Sequence, residues 1–468
     1  MSIIKNIKKF KNNIAIITQE NESIDYKSLL NFSEIISKKI KSRSLAFLVC
    51  GNNVESIAGY ISFLRSDCVI ALIDEKQNYN NLSNLIKIYK PEIIFIKKSN
   101  IIIEGYKLII SFKNFYFLQR ENKNKISLND DLSLLISTSG STGSSKQVRI
   151  SHKNLTMNTK SIVKYLKISE QDKSITTLPM SYVYGLSVIN THIYTGGSIV
   201  LNEHSVLNKN FWTLLAKHKV SNFAGVPYTY QMLDRINFYK KDLKHIKYLT
   251  QAGGKLDKQL NKKILKDFCN KDRDFIVMYG ATEATARMSF VPKKFSKKKI
   301  GSIGIPIPGG KFNLIDAKNK KIKKPNKSGE LIYSGNNVCL GYANNIQDLS
   351  KGDENNGVFR TGDIAKKDKE DFYYIVGRKS RIIKIYGNRI NLEELENNLF
   401  KIGFESMCKV NQENKILIYI KEKKDIKKLR NSLPNITNLH PTVFLIKIVK
   451  KFPLNKNFKL SYESEVLN

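Results

Sequence analysis

Short apolar runs alternate with amphipathic stretches along the first part of the chain. Residues 14–18, 45–50, 69–73 and 93–96 read as buried strands, while 25–40, 54–65 and 79–89 carry apolar residues at helical spacing. This alternation predicts a parallel sheet with helices on both faces. Residues 97–130, rich in lysine and asparagine, interrupt the pattern and are expected to be irregular.

The pattern resumes with an apolar strand at 132–136, a second short run at 148–152 and a helical start at Asn154. Strands are expected at 222–226, 247–251 and 275–278, with a helix over 227–234. From Gly301 onward the runs shorten and glycine turns multiply. Residues 312–316, 329–333 and 338–342 therefore predict a small β-rich subdomain. The remainder reads as a strand at 373–376, a helix at 392–399 and strands at 415–420 and 443–448.

At 468 residues the chain is long enough for more than one domain, and 41% hydrophobic residues exclude a mainly disordered protein. With 79 Lys+Arg against 41 Asp+Glu, the formal charge is +38. The lysines are spread along the chain among asparagines and isoleucines, which reads as compositional drift and not as a specific nucleic-acid surface. Five separated cysteines without a Cys-x-x-Cys pair fit reduced, mostly buried thiols in a cytoplasmic protein. No apolar run approaches the length of a membrane span.

Candidate chemistry centres on Ser137-Thr138-Ser139-Gly140-Ser141-Thr142-Gly143-Ser144-Ser145-Lys146. On composition alone it could be a flexible linker. Its place directly after a buried strand favours an anion cradle, in which glycines orient successive N–H groups, hydroxyls add donors and Lys146 adds charge. The spacing is not that of a P-loop. Further along, Gly253-Gly254 at a strand end would let a flat ligand approach bare backbone, and Tyr279-Gly280-Ala281-Thr282-Glu283 combines an aromatic, a hydroxyl and a carboxylate.

Taken in order, these segments resemble the adenylate-forming superfamily of acyl-CoA synthetases, adenylation domains and luciferases. The resemblance runs from about Ile14 to Lys459. It also covers Leu178-Pro179-Met180-Ser181-Tyr182-Val183-Tyr184, Phe359-Arg360-Thr361-Gly362-Asp363, Gly377-Arg378 and Pro453-Leu454-Asn455-Lys456-Asn457-Phe458-Lys459. It implies an α/β fold with a large N-terminal domain of parallel sheets plus the β-rich subdomain, residues 1–377. A small mobile α+β C-terminal domain, 378–468, would follow.

The resemblance further implies ATP-dependent conversion of a carboxylic acid to an acyl-adenylate, then transfer to a thiol of coenzyme A or of phosphopantetheine on an acidic acyl carrier protein. Ser139, Gly140, Ser141, Thr142, Gly143 and Lys146 would cradle phosphates, with Gly253, Gly254, Tyr279 and Gly280 around the nucleotide. Thr282 would meet the α-phosphate, Glu283 would hold Mg²⁺, and Asp363 and Arg378 would take the ribose. Tyr182, Tyr184 and Gly254 would line the acyl pocket, Gly387 the thiol channel, and Lys459 would be the catalytic lysine, with Lys456 its competitor.

The chain departs from the family pattern at Ser145, Gln147, Ser380 and Phe458, and Ser181 and Tyr182 stand where an aromatic and a histidine are usual. A degenerate nucleotide-binding protein is the reading these departures would favour. Amino-acid adenylation is a further alternative, although 180–184 lacks the acid that pairs with an α-ammonium.

Overall fold

Leu45–Cys50 is buried at every position, and its side chains divide by parity between two cores. Ala46, Leu48 and Cys50 join one hydrophobic cluster, whereas Leu45, Phe47 and Val49 join another on the opposite face. A strand covered on both sides in this way reads as a continuous apolar run. In the computed structural model it pairs in parallel with Val69–Asp74 and Ile93–Lys97, and Val69–Asp74 pairs in parallel with Leu132–Ser137. The structure describes residues 3–41, 43–98, 103–122, 124–137, 146–241, 243–270, 272–385, 388–411, 415–421, 425–437 and 439–453.

Between the strands, Val54–Arg65 starts where Asn53 accepts a hydrogen bond from the Ser56 amide, and Tyr79–Tyr89 starts at Asn78 in the same manner. Both helices have the bounds their apolar spacing predicts. Residues 97–130 are not irregular throughout. Tyr106–Phe112 and Phe115–Arg120 form an antiparallel hairpin at the sheet edge, turning at Lys113, whose φ is 49°.

Among the described residues this sheet has eight strands, with Gly341–Ala343 at one end, next to Gln147–Ser151, and the Tyr106–Phe112 hairpin at the other. A second sheet of nine strands holds Lys173–Ile175, Ser198–Val200, Asn222–Gly225, Tyr248–Gln251 and Asp274–Tyr279 in parallel. The expected α/β class is therefore observed. The expected strand at 338–342 is Gly341–Ala343, and it joins the first sheet instead of the β-rich group.

The described residues divide into two compact units, one within Met1–Lys311 and Ser334–Phe359, the other within Phe312–Tyr333 and Arg360–Asn468. In the second unit, Gly310–Ile315, Gly329–Gly335, Val358–Lys367 and Tyr373–Arg378 form a four-stranded sheet. Ser406–Val410, Ile416–Ile420 and Phe444–Ile448 form another, and Leu392–Lys401 and Ile426–Thr437 contribute Leu395, Leu399, Leu429 and Leu433 to a shared apolar cluster. No helix among the described residues is long and apolar enough to cross a membrane.

Candidate active site

Leu132–Ser137 and Gln147–Ser151 are antiparallel partners, with Ser137 opposite Gln147. The hydroxyl-rich stretch thus connects two strands of a hairpin, and the helix His152–Leu166 begins only after the second. Lys146 is described. Ser139, Gly140, Ser141, Thr142 and Gly143 lie outside the described residues.

The Lys146 ammonium sits 3.7 Å from the centroid of the Tyr342 ring. Tyr342 is brought there by Gly341–Ala343, which pairs with the hairpin so that Tyr342 lies opposite Val148. Its hydroxyl donates to Glu283 Oε1 at 2.8 Å. Burial, reinforced by the charge of Glu283 and this hydrogen bond, pushes the Tyr342 hydroxyl well above its ordinary value, so it stays protonated and keeps donating. One aromatic ring therefore joins a cation over its face to a carboxylate at its hydroxyl. Sequence reading assigned Lys146 and Glu283 but not Tyr342.

Glu283 is placed by a tight turn after the strand Asp274–Tyr279. A Cβ on Gly280 would lie 1.7 Å from the Ala286 carbonyl oxygen, so the backbone can close only on a glycine there. Thr285 and Ala286 take φ values of 52° and 100°, conformations that L-residues hold only when surroundings impose them. The surroundings here are specific. Thr285 donates its hydroxyl to the Asn337 carbonyl, Asn337 donates to the carbonyls of Ala284 and Arg287, Asn158 also donates to Arg287 O, and the Cys339 amide donates to Glu283 O. Thr282 is buried in the same turn.

Gly253 and Gly254 follow Tyr248–Gln251, the parallel neighbour of the strand that ends at Tyr279. Gly253 has φ 84°, and Gln251 donates its side-chain amide to Gly254 O.

The segment after Pro179 turns into the helix Val183–Thr195, where a Cβ on Gly185 would lie 2.3 Å from the Pro179 carbonyl oxygen. Tyr182 precedes this helix and is partly exposed, while Tyr184 is buried with its hydroxyl hydrogen-bonded to Thr250. The guanidinium of Arg287 lies 4.3 Å from the Tyr184 ring centroid. Burial pushes the Tyr184 hydroxyl up to about 12, with Arg287 pulling in the opposite direction.

In the second unit, Asp363 and Arg378 face each other across adjacent strands, with Arg378 Nε 2.8 Å from Asp363 Oδ1. Asp363 is buried and Arg378 largely exposed. Beside them in sequence, Arg360 and Lys379 both engage Glu330, at 2.6 and 3.2 Å. Ser380 sits in the short turn Lys379–Arg381. Gly387 and Lys459 lie outside the described residues.

No group of three or more His, Cys, Asp or Glu suited to a metal occurs among the described residues. Glu283 would suit Mg²⁺ in another way, as a single carboxylate to which nucleotide phosphates would add the remaining oxygens. Its Oε1 is already oriented by Tyr342.

The sequence profile described as AMP-binding enzyme matches residues 4–343. The chain belongs to that family. Luciferin 4-monooxygenase of Photuris pensylvanica is 25% identical over 418 residues, covering 81% of this chain and 76% of that protein. Oxalate–CoA ligase of Saccharomyces cerevisiae is 30% identical over 319 residues, covering 66% of this AMP-binding chain but only 55% of the ligase. Among solved structures, o-succinylbenzoate CoA synthetase of Bacillus subtilis with its acyl-adenylate superposes with a TM-score of 0.77 at 18% identity, covering 98% of this chain and 96% of that one. That last likeness is one of fold.

Proposed function

We propose that this AMP-binding family member activates a carboxylic acid with ATP and passes the acyl group to a thiol. In the first step a carboxylate oxygen bonds to the α-phosphorus as the α–β anhydride breaks, giving acyl-adenylate and pyrophosphate. In the second the thiol sulfur bonds to the acyl carbon, its proton is lost and AMP leaves. The observation that carries this reading is the convergence of Lys146, Tyr342 and Glu283 from three distant segments. It holds a cation and an oriented carboxylate on one ring, a pair that would answer the charge building on the departing phosphates.

Mg²⁺ held by Glu283 would supply further neutralisation of that charge. Ser139, Gly140, Ser141, Thr142 and Gly143 would complete the cradle, Gly253, Gly254, Tyr279 and Gly280 would border the nucleotide, Thr282 would meet the α-phosphate, and Asp363 and Arg378 would take the ribose. Tyr182 and Gly254 would line the acyl pocket, with Tyr184 forming its wall. Lys459 would bridge the attacking carboxylate and the α-phosphate, and rotation of 378–468 against 1–377 would bring Gly387 to the thiol. The acceptor is coenzyme A, which the oxalate ligase's name supports, or the phosphopantetheine of an acidic carrier protein in the cytoplasm.

Hydroxylamine-trapped pyrophosphate release with ATP and Mg²⁺, across fatty, aryl, hydroxy, amino and dicarboxylic acids, tests the proposal. Activity with one acid class that collapses in Lys459→Ala is the expected result. Silence across the panel, with ATP still bound, would overturn it in favour of a nucleotide-binding protein without ligase activity.

A further inference from the structure

Arg287 is only 2% exposed, and its side-chain partners are the Ser187 hydroxyl at 3.0 Å, the Tyr165 hydroxyl at 3.4 Å, the Met278 sulfur at 2.7 Å and the face of Tyr184. None of these is a carboxylate. Its Nε, also buried, has no hydrogen-bond partner. Taking a guanidinium out of water is costly unless a counter-charge is met. A cation–π contact returns only part of that cost, and thioether sulfur is a weak acceptor. The charge is therefore under-compensated by the surrounding protein.

The backbone invests in keeping it there. Asn158 and Asn337 both clamp the Arg287 carbonyl, and the positive-φ residues Thr285 and Ala286 immediately precede it. Arg287 stands four residues after Glu283, so the turn that aims the carboxylate also delivers this cation. It meets the helix Val183–Thr195 at Tyr184 and Ser187, on the element that Tyr182 leads into.

We infer that the substrate carries a second carboxylate, and that this group pairs with Arg287 while the first is activated. The inference rests on the acid-activating reading above. Only the first carboxylate changes bonds: its oxygen takes the adenylyl group as pyrophosphate departs, and the distal carboxylate supplies charge and acceptor oxygens to the buried guanidinium. Ser187 and Tyr165 then act as positioning residues that hold the fork of Arg287. A substrate whose only second charge is an ammonium would meet the cation and be repelled, which separates this pocket from one for simple amino acids.

The test is acid-dependent ATP–pyrophosphate exchange by the full chain with length-matched pairs: succinate against butanoate, glutarate against pentanoate, and phthalate against benzoate. The dicarboxylic member of at least one pair should be preferred by about 100-fold in kcat/KM, a ratio typical of a buried charged hydrogen bond. Arg287→Met should abolish that preference, and Arg287→Lys should retain part of it. Exchange supported by monocarboxylic acids as well as by their dicarboxylic partners would overturn the inference while leaving the ligase reading intact. Absence of exchange with every acid, ATP still bound, would bring down both. The wild-type comparison decides even where Arg287→Met fails to fold.

Discussion

Tyr342 donates its hydroxyl to Glu283 Oε1 across 2.8 Å, joining residues 59 positions apart, while Lys146 rests on the opposite part of the same side chain. The ring thus sets the distance between the Lys146 cation and the Glu283 carboxylate, the groups proposed to meet phosphate and metal. Tyr342→Phe keeps the ring and removes the hydrogen bond. It should lower the rate of acid-dependent pyrophosphate release by about 10-fold or more. The Mg²⁺ concentration needed for half-maximal rate should rise, and Tyr342→Leu should lose more, because the Lys146 contact goes too. A Mg²⁺ titration of all three proteins checks this.

Asp363 has its own tether in Arg378 at 2.8 Å. Asp363→Asn should raise KM for ATP by about 10-fold, as expected for loss of charge-assisted hydrogen bonds to a diol. The KM for the acid should change little. Steady-state kinetics with each substrate varied in turn would separate the two.

Gly280→Ala would set a methyl group 1.7 Å from the Ala286 carbonyl oxygen. Backbone, not a movable side chain, stands in the way, so a loss of about 3 kcal/mol is expected. Denaturant melts would show it, and the residual folded fraction should have impaired Mg²⁺ dependence, because the same turn aims Glu283.

Arg149 is fully buried. It donates to the carbonyls of Leu340, Tyr342, Lys351 and Gly352 and forms an ion pair with Glu354 at 2.5 Å. Arg149→Leu should destabilise the protein by about 1–3 kcal/mol, since the Leu340 and Tyr342 carbonyls lose a buried donor while Lys351, Gly352 and Glu354 are exposed enough to turn to solvent. The expected signature is a lower denaturation midpoint together with reduced pyrophosphate release, because the segment that Arg149 holds carries Tyr342.

Asp172 supplies a pH-dependent contribution to stability. Burial pushes its carboxyl up, but hydrogen bonds from Lys247, Ser169 and Ser221 outweigh this and hold it below the ordinary 3.8. A depressed folded-state pKa means that the stabilisation is complete above the unfolded value and is lost as pH falls through the folded one. Asp172→Asn should therefore cost about 1–3 kcal/mol at neutral pH, and its deficit should shrink as the medium is acidified below pH 4. Denaturation of both proteins across pH 3–7 reads this out.

What the sequence disclosed followed the strength of local signals. The helix Val54–Arg65 has an asparagine cap, a dense apolar repeat and strands close on either side, and its limits could be read directly. The hairpin Tyr106–Phe112 with Phe115–Arg120 could not, because its outer strand is almost entirely exposed or half-buried and the chain reverses at Lys113-Asn114 without a glycine. Glu283 and Lys146 stood out within short motifs. Gly341-Tyr342 also matched the family pattern, but no role for Tyr342 could be read from it, because its meaning depends on a long-range strand pairing. Arg287 was concealed by composition: among 79 Lys+Arg, only burial distinguishes it from a solvated cation.

The segment Ser334–Phe359 belongs to the first compact unit, yet the chain enters it from Phe312–Tyr333 and leaves it for Arg360–Asn468, both of the second. Severing the polypeptide once, anywhere, therefore cannot yield the two units intact. A fragment ending at Lys311 would forfeit the edge strand Gly341–Ala343, strip Leu340, Ala343 and Leu349 from an apolar cluster, and take from Arg149 its carbonyl acceptors at 340 and 342 and from Lys146 the Tyr342 ring. Dissecting this protein into working modules calls for excision and rejoining of the chain, as in a circularly permuted gene, and not for truncation.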